Sequence, residues 1–459
     1  MSFPAHVFKA YDIRGLVATE LSPDLAYKIG AAFAIYLQKH NLLKDGQKVV
    51  VGYDMRPSSI PFEAEVVRAI TDQGLDVVRM GLASTPLFNF ACAHFPEHAG
   101  GIIVTASHNP AEYNGFKMTL SNGLPIGKST GMSEIRDLAA GMNPEPVISK
   151  GRVETRDVFP EYLAKLKSLV DFSAIKLLKI VVDAGNGMAQ VSLPKVLAEL
   201  PVKVEYLFLE PDGTFPNHEA NPLNIETLRD LQAKVKEVGA DFGFALDGDA
   251  DRIGLVDNQG EVVDASLVAA LIGQEVLKTQ PGALGLFDLR SSQIVADSWK
   301  TVGAKTDMCM VGHANIKKMM KDIGAVFASE LSLHVYFGKF YDLECSDLAL
   351  LYFLRLVSET GQTMSQLVVP LKNKYAHSGE INFKIQDKEG AMQAIRETFG
   401  AEAIKTSDLD GVWYGFDWGF VSVRTSNTEP LLRLNLETST SELTQAKVAE
   451  FSAVLKKFE

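Results

Sequence analysis

Cysteine is scarce in this chain. Cys92, Cys309 and Cys345 are the only three in 459 residues, and no two of them have CxxC spacing. Such an odd, scattered set offers no framework for a disulfide-stapled fold. It fits a reducing cytoplasm, with the thiols buried or inert. Basic charge is also in deficit: 45 Lys and Arg stand against 57 Asp and Glu, a net charge of -12. That balance argues against a nucleic-acid-binding surface, which needs a basic patch, although it permits a local basic pocket. No apolar run is long enough to span a bilayer. Met1-Ser2-Phe3-Pro4 has none of the basic and apolar character of a secretory leader. The expectation is a cytoplasmic protein with neither a membrane nor a nucleic-acid partner.

What remains is an ordinary globular composition, 46% apolar and 22% charged, long enough for roughly three or four domains. Ala and Leu recur at helical spacing over about residues 24–40. Val49-Val50-Val51-Gly52-Tyr53-Asp54 reads as a buried strand ending in an acid, followed by a loop at Met55-Arg56-Pro57 and a helix. The same unit recurs at Ile180-Val181-Val182-Asp183 and at Leu284-Gly285-Leu286-Phe287-Asp288. Each copy is followed, roughly 40 to 65 residues on, by a second apolar strand that opens into a polar loop. Those strands are Ile102-Ile103-Val104, Phe242-Gly243-Phe244-Ala245-Leu246 and Ala325-Val326-Phe327-Ala328. Alternating strands and helices imply mostly parallel sheets covered on both faces. The spacing suggests three copies of one α/β domain, each presenting a functional loop beyond a strand end. The segment from about Gly141 to Val153, which holds Asn143-Pro144-Glu145-Pro146, reads as a linker and Asp257-Asn258-Gln259-Gly260 as a hairpin-like turn. After about Pro370 the pattern changes to alternation, in residues 377–383, 413–416, 419–424 and 432–436, ahead of an amphipathic helix over about 441–458. The predicted domains are 1–150, 151–257, 258–369 and 370–459, the last of them α+β.

The loops carry the chemistry. Ile102-Ile103-Val104 runs into Thr105-Ala106-Ser107-His108-Asn109-Pro110. Ser107 then sits just past a buried strand, on a stiff turn whose following amides can face an anion. That placement suits a phosphoryl carrier; the alternative is a polar loop whose serine caps a helix. Asp247, Asp249 and Asp251 alternate after a strand and can converge on one hard divalent cation; without one, three such charges repel strongly. Gly248 would permit a backbone conformation that a larger residue resists, and Arg252 would offset charge or grip a phosphate. The helix-loop-helix frame of an EF-hand is missing, which leaves a solvated acidic turn as the alternative.

Glu330, Ser332 and His334 would share one face of an extended loop and suit the vicinal hydroxyls of a sugar, unless they form an exposed edge strand. Arg424-Thr425-Ser426-Asn427-Thr428-Glu429-Pro430 can wrap a phosphate monoester, or be an ordinary hairpin turn. Gly312-His313 follows a strand expected at 308–311 and opens a helix at Ala314, so its imidazole touches a ligand or caps its own helix. Lys117, on a segment expected to pair back toward the Ser107 loop, serves a phosphate, takes a proton, or is a surface lysine. A carrier, a cation site, a hydroxyl reader and a phosphate clamp together meet the needs of phosphoryl transfer, which are alignment and charge neutralisation.

TASHNP with YNGFK, DGDADR, the Glu330-x-Ser332-x-His334 loop and RTSNTEP, in this order over essentially the whole chain, resemble the α-D-phosphohexomutase family. The likeness is greatest to its bacterial phosphomannomutase/phosphoglucomutase members. The resemblance implies three similar mixed-sheet α/β domains plus a smaller C-terminal α+β domain around a central cleft. It implies an isomerase that moves phosphate between O1 and O6 of mannose or glucose phosphate through a phosphoserine. Hexose 1,6-bisphosphate would be intermediate and activator. Ser107 would be the phosphoserine, and Asp247, Asp249 and Asp251 would bind one Mg2+ together with a phosphoserine oxygen. Glu330 and Ser332 would read O3 and O4, and Arg424, Ser426, Asn427 and Thr428 would hold the non-reacting phosphate. Tyr11, Arg14, Arg290 and Gly312 fall at substrate-binding positions, and His108, Lys117, Arg252, His313 and His334 at catalytic ones. The expected partners are small-molecule phosphosugars, bound by a monomer. Two stretches depart from the family pattern. Leu333 stands where members have Gly or Ala and would crowd the sugar, and Glu344-Cys345-Ser346-Asp347 replaces an acid-containing Gly turn. Asn427 is typical of hexose and mannose members, whereas phosphoglucosamine mutases usually have Gly there. The alternatives are a phosphoglucosamine mutase, a catalytically impaired sugar-phosphate-binding homologue, and a metal-dependent phosphatase.

Overall fold

Apolar runs without polar alternation, such as Val49-Val50-Val51 and Ile102-Ile103-Val104, need cover on both faces. In the computed structural model they form the neighbouring parallel strands Lys48–Tyr53 and His98–Val104, at the centre of a six-stranded sheet. The structure describes residues 3–128, 130–141, 149–425 and 431–459, so residues 142–148 of the predicted linker lie outside the described residues, while its last residue, Val153, opens the strand Val153–Thr155. The chain divides into two compact units: Met1–Val263 with Ser332–Ser365, and Asp264–Leu331 with Gln366–Glu459.

In the first unit, Lys48–Tyr53 lies between the parallel strands Val77–Leu82 and His98–Val104, and Tyr113–Leu120 runs antiparallel beyond the latter. Ile13–Leu16 and Val153–Thr155 close the two edges. Helix Pro23–Lys39, predicted one residue later, starts where Ser22 accepts the Leu25 N–H at 3.2 Å and Pro23 presets φ. Its Ile29 and Phe33 pack with Val66 and Ile70 of helix Ser59–Asp72 over Val49, Val51, Ile102 and Val104.

A second sheet repeats the pattern. Leu178–Asp183 lies between the parallel strands Val202–Leu207 and Phe242–Leu246, and Ile253–Asp257 runs antiparallel beyond the latter. The predicted turn at 257–260 joins Ile253–Asp257 to Val262–Val263 as a hairpin. Asp257 Oδ1 accepts the Gln259 and Glu261 N–H groups at 2.8 and 3.0 Å.

The second unit contains the third repeat: Leu284–Asp288 between Lys305–Cys309 and Phe327–Ser329, all parallel. These last two strands sit two to three residues off the predicted 308–311 and one to two off 325–328. The buried Trp299 fills the space that two glycines leave for it. A Cβ on Gly273 or Gly285 would lie 2.1 or 2.7 Å from its ring atoms. The remainder is an antiparallel sheet whose one face is covered by helices Lys388–Phe399 and Ser441–Leu455, with Val421, Val423, Leu434, Phe399 and Phe451 in its core. The strand predicted over 377–383 is two strands, Ala376–His377 and Ile381–Lys384, because Gly379 between them takes φ +69°. All three cysteines are buried and free. Among the described residues no helix is long and apolar enough to cross a membrane.

Candidate active site

Ser107 lies three residues beyond the buried strand His98–Val104, with φ +49°, in the left-handed region. Residues 105–112 run as turns with no helix after them, so Ser107 is not a helix cap. Its hydroxyl donates to Asp247 Oδ2 at 2.8 Å and lies 3.1 Å from His108 Nδ1. Burial, and then the charges of Arg252 and Arg14, hold the His108 imidazole well below the usual histidine range, so it is neutral at physiological pH.

The three acids of DGDADR are buried, not solvated, and none is more than 4% exposed. One oxygen from each lies within 4.8 Å of the others. Asp247 Oδ1 accepts the Asp251 and Arg252 N–H groups at 2.9 and 3.1 Å, which closes the loop on itself. Asp249 Oδ2 accepts the Thr85 hydroxyl at 2.5 Å and the Lys117 ammonium at 2.6 Å, while its Oδ1 is buried with no hydrogen-bond partner. Asp251 meets Lys117 at 2.7 Å and His334 Nε2 at 3.2 Å. Burial and the Asp251 and Asp249 charges push the Asp247 carboxyl up. Burial alone would depress Lys117, but Asp249 and Asp251 outweigh it and hold the ammonium above the usual lysine range. Lys117 is therefore no surface lysine. Three carboxylates, one of them with an orphaned oxygen, and a hydroxyl form an all-oxygen donor set that fits a hard divalent cation.

Gly248 is required for a different reason from the one its sequence suggested. Its own φ is not positive; Ala250 takes the left-handed turn instead, at +60°. A Cβ at Gly248 would lie 2.4 Å from the Ser107 carbonyl oxygen, so glycine lets the two loops touch. Arg252 Nε lies 3.9 Å from Asp247 Oδ2. Arg14 donates to Asp12 at 2.5 Å and also to Asn109 Oδ1, within the Ser107 loop. Tyr11 is half-buried just before strand Ile13–Leu16.

The expectation of an extended 330–334 loop is corrected. Residues 331–333 form a turn, with Leu333 at φ +70° and its carbonyl accepting the Ile253 N–H at 3.1 Å. Leu333 is 6% exposed, its side chain packed inside the protein. Ser332 Oγ lies 2.9 Å from His334 Nδ1. Glu330 and His334 are both buried, which rules out an exposed edge strand.

In the second unit, Gly312 (φ +107°) caps helix His313–Ile323 and donates its N–H to Glu330 Oε1 at 2.9 Å. The helix opens on His313 itself, one residue before the predicted Ala314. Arg290 pairs with Asp288 at 2.6 Å, with Glu330 at 3.5 Å and with Glu380 at 3.9 Å. Arg424 pairs with Glu380 at 2.7 Å, and Arg433, opposite it on the neighbouring strand, with the same carboxylate at 3.2 Å. Ser426, Asn427 and Thr428 lie outside the described residues.

The structure thus gathers Ser107, His108, Lys117, Asp247, Asp249, Asp251, Arg252, Ser332 and His334 in one unit, and Arg290, Gly312, Glu330 and Arg424 in the other. Sequence reading missed Arg56, Thr85 and Glu380. Asp54 and Arg56 beyond a strand end were a weak signal for the first; a threonine opening a helix and a glutamate before a short strand gave none.

Four domain families match in chain order: Phosphoglucomutase/phosphomannomutase, alpha/beta/alpha domain I over residues 5–143, domain II over 160–260, domain III over 264–375, and the C-terminal domain over 380–454. The chain belongs to the phosphoglucomutase/phosphomannomutase family, whose mutases are isomerases. It is 38% identical to the phosphohexose mutases of Xanthomonas campestris pv. campestris (strain B100), across 99% of this chain and 100% of that one. It is 36% identical to a phosphomannomutase of Escherichia coli, across 98% and 99%. A crystal structure of a phosphoglucomutase/phosphomannomutase family protein from Burkholderia thailandensis superimposes with a TM-score of 0.90 at 30% identity, covering 99% of this chain and 97% of that one.

Proposed function

We propose that this chain interconverts the 1-phosphate and 6-phosphate of mannose or glucose, with Ser107 as the phosphoryl carrier and a hexose 1,6-bisphosphate as the intermediate. The observation that carries this reading is the Ser107 hydroxyl 2.8 Å from Asp247, inside a buried acidic triad whose carboxylate oxygens lie within 4.8 Å of one another. In the first half-reaction the bond from Ser107 Oγ to phosphorus breaks and one to the free sugar oxygen forms, the sugar hydroxyl proton passing to the freed Ser107 Oγ. The bisphosphate then turns over, since one serine serves both ends of the sugar. In the second half-reaction Ser107 Oγ bonds to the other phosphorus as the bond from that phosphorus to the sugar oxygen breaks, and the neutral His108 imidazole, 3.1 Å from Oγ, takes the serine proton, which passes to the departing sugar oxygen. Lys117, held charged between Asp249 and Asp251, supplies positive charge beside the transfer path. Mg2+ held by Asp247, Asp249, Asp251 and a phosphoserine oxygen would draw charge from the transferring group.

Glu330 and Ser332 read sugar hydroxyls in this account, with His313 and His334 near the reacting end and Tyr11, Arg14 and Arg290 lining the substrate. Arg424, Ser426, Asn427 and Thr428 hold the phosphate that is not reacting. The protein works as a monomer in the cytoplasm on small-molecule phosphosugars. The test is incubation with glucose 1-phosphate or mannose 1-phosphate, Mg2+ and a trace of the bisphosphate, beside N-acetylglucosamine 1-phosphate. The expected product is the hexose 6-phosphate. Release of inorganic phosphate, or no product from either hexose, would overturn the proposal.

A further inference from the structure

A buried charge that this reaction does not use lies against the Ser107 loop. Arg56 follows strand Lys48–Tyr53, and its side chain is 0% exposed. Its guanidinium donates to four backbone carbonyls of one short stretch: Ser107 at 2.9 Å, Asn109, Pro110 at 2.7 Å and Tyr113 at 2.9 Å. Nε faces Asp54 Oδ2 at 3.3 Å. Asp54 Oδ1 in turn accepts the Arg56 N–H at 3.1 Å and the Ser59 hydroxyl at 2.6 Å. Phe215 lies over the guanidinium, its ring centroid 5.0 Å from Cζ.

Only a planar, multiply donating cation can collect four carbonyls at once. A trans peptide holds its C=O and the following N–H antiparallel. Engaging the Ser107 and Pro110 carbonyls therefore turns the His108 and Ala111 N–H groups away from Arg56. Ser107 itself has φ +49°, a conformation a non-glycine residue keeps only when its surroundings over-determine it. Asp54 balances the charge, so what Arg56 adds is geometry.

We infer that Arg56 is the positioning residue for the phosphoryl-carrying hydroxyl: by gathering the carbonyls of the 107–113 loop it fixes Ser107 in the left-handed turn that aims Oγ at Asp247. The inference rests on the function proposed above and assigns to Arg56 the rate at which Ser107 is loaded. The Arg56 side chain is fully buried against the loop backbone, so its loss should slow loading while leaving substrate affinity alone. The dephosphorylated protein is mixed with glucose 1,6-bisphosphate and Mg2+, and phosphoryl uptake is followed by intact mass. Arg56→Lys, which keeps charge but loses the fork, should load about tenfold slower, and Arg56→Met about 100-fold slower. KM for glucose 1-phosphate should stay within about twofold of wild type, because uniform binding is untouched. Ser59→Ala removes the prop under Asp54 and one acceptor of the Asn114 amide, which keeps its bond to Ser58 at 2.7 Å. It should melt as wild type and load several-fold slower, which keeps the test open if Arg56→Met does not fold. Folded variants that load at the wild-type rate, or in which KM rises as much as loading slows, would overturn the inference alone. A wild-type chain that takes up no phosphoryl group would overturn the proposed function, and the inference with it.

Discussion

One methyl group added at Gly248 should separate the two loops on which the proposed phosphoryl transfer depends. In Gly248→Ala the new Cβ falls 2.4 Å from the Ser107 carbonyl oxygen and 3.1 Å from its carbon. Ordinary contact begins at 3.4 Å, so the backbones must part by about 1 Å. Neither side yields easily. Arg56 holds that same Ser107 oxygen at 2.9 Å, and the Gly248 carbonyl accepts the Met188 N–H at 2.9 Å. Overpacking of this kind costs about 1–3 kcal/mol of stability. A displacement of about 1 Å between reacting groups costs about 100-fold in rate, or ~2.7 kcal/mol in the barrier. Steady-state kinetics on glucose 1-phosphate at saturating Mg2+ and bisphosphate, beside a melting curve, would read both effects. The expected result is kcat lower by about 100-fold with KM little changed. A variant with wild-type kcat and wild-type melting would refute the reasoning, since the loops could not then be in contact as described.

The other expected outcomes concern the cation, the protonation of a buried acid, and the core. Thr85→Val removes the hydroxyl that orients Asp249 at 2.5 Å and should weaken Mg2+ binding by about tenfold in calorimetric titration; unchanged affinity would contradict the role given to Asp249. Burial pushes the Glu437 carboxyl from 4.5 up to about 7. The folded state therefore holds this proton more tightly than the unfolded chain, and the stability gained is complete below pH 4.5 and lost as pH rises through 7. The loss is at most about 3 kcal/mol. Glu437→Gln should flatten that dependence and melt higher than wild type at pH 8; parallel curves for the two proteins between pH 5 and 8 would count against it. Gly273→Ala places a Cβ 2.1 Å from the buried Trp299 indole nitrogen, whose N–H donates to Ala269. It should cost about 1–3 kcal/mol in chemical denaturation, and an unaffected midpoint would mean Trp299 repacks freely.

Much of the fold was legible because it rests on short-range pattern. Phe242–Leu246, apolar throughout, is a strand at the predicted residues, and the alternation of Asp247, Asp249 and Asp251 foretold a convergent triad. Three copies of an α/β unit with mostly parallel strands followed from spacing alone, although the strand order did not. What stayed hidden depends on backbone angles or on distant partners. Nothing in a leucine announces the φ of +70° that turns residues 331–333 and spoils the extended loop. Gly379 splits a strand whose side chains alternate well enough to suggest one. The reason for Gly248 lies in Ser107, and the work of Arg56 lies in carbonyls more than fifty residues away, where no local pattern reaches.

The central claim is that one hydroxyl carries the phosphoryl group between the two ends of the sugar. It is tested most directly by a pulse and chase: dephosphorylated protein is loaded from glucose 1,6-bisphosphate carrying labelled phosphate, freed of ligand, and mixed with unlabelled glucose 1-phosphate and Mg2+. The account predicts label on Ser107 after the pulse, its transfer to hexose phosphate within a turnover, and neither event in Ser107→Ala. Isomerisation that proceeds with no label ever reaching Ser107, or undiminished in Ser107→Ala, would contradict it.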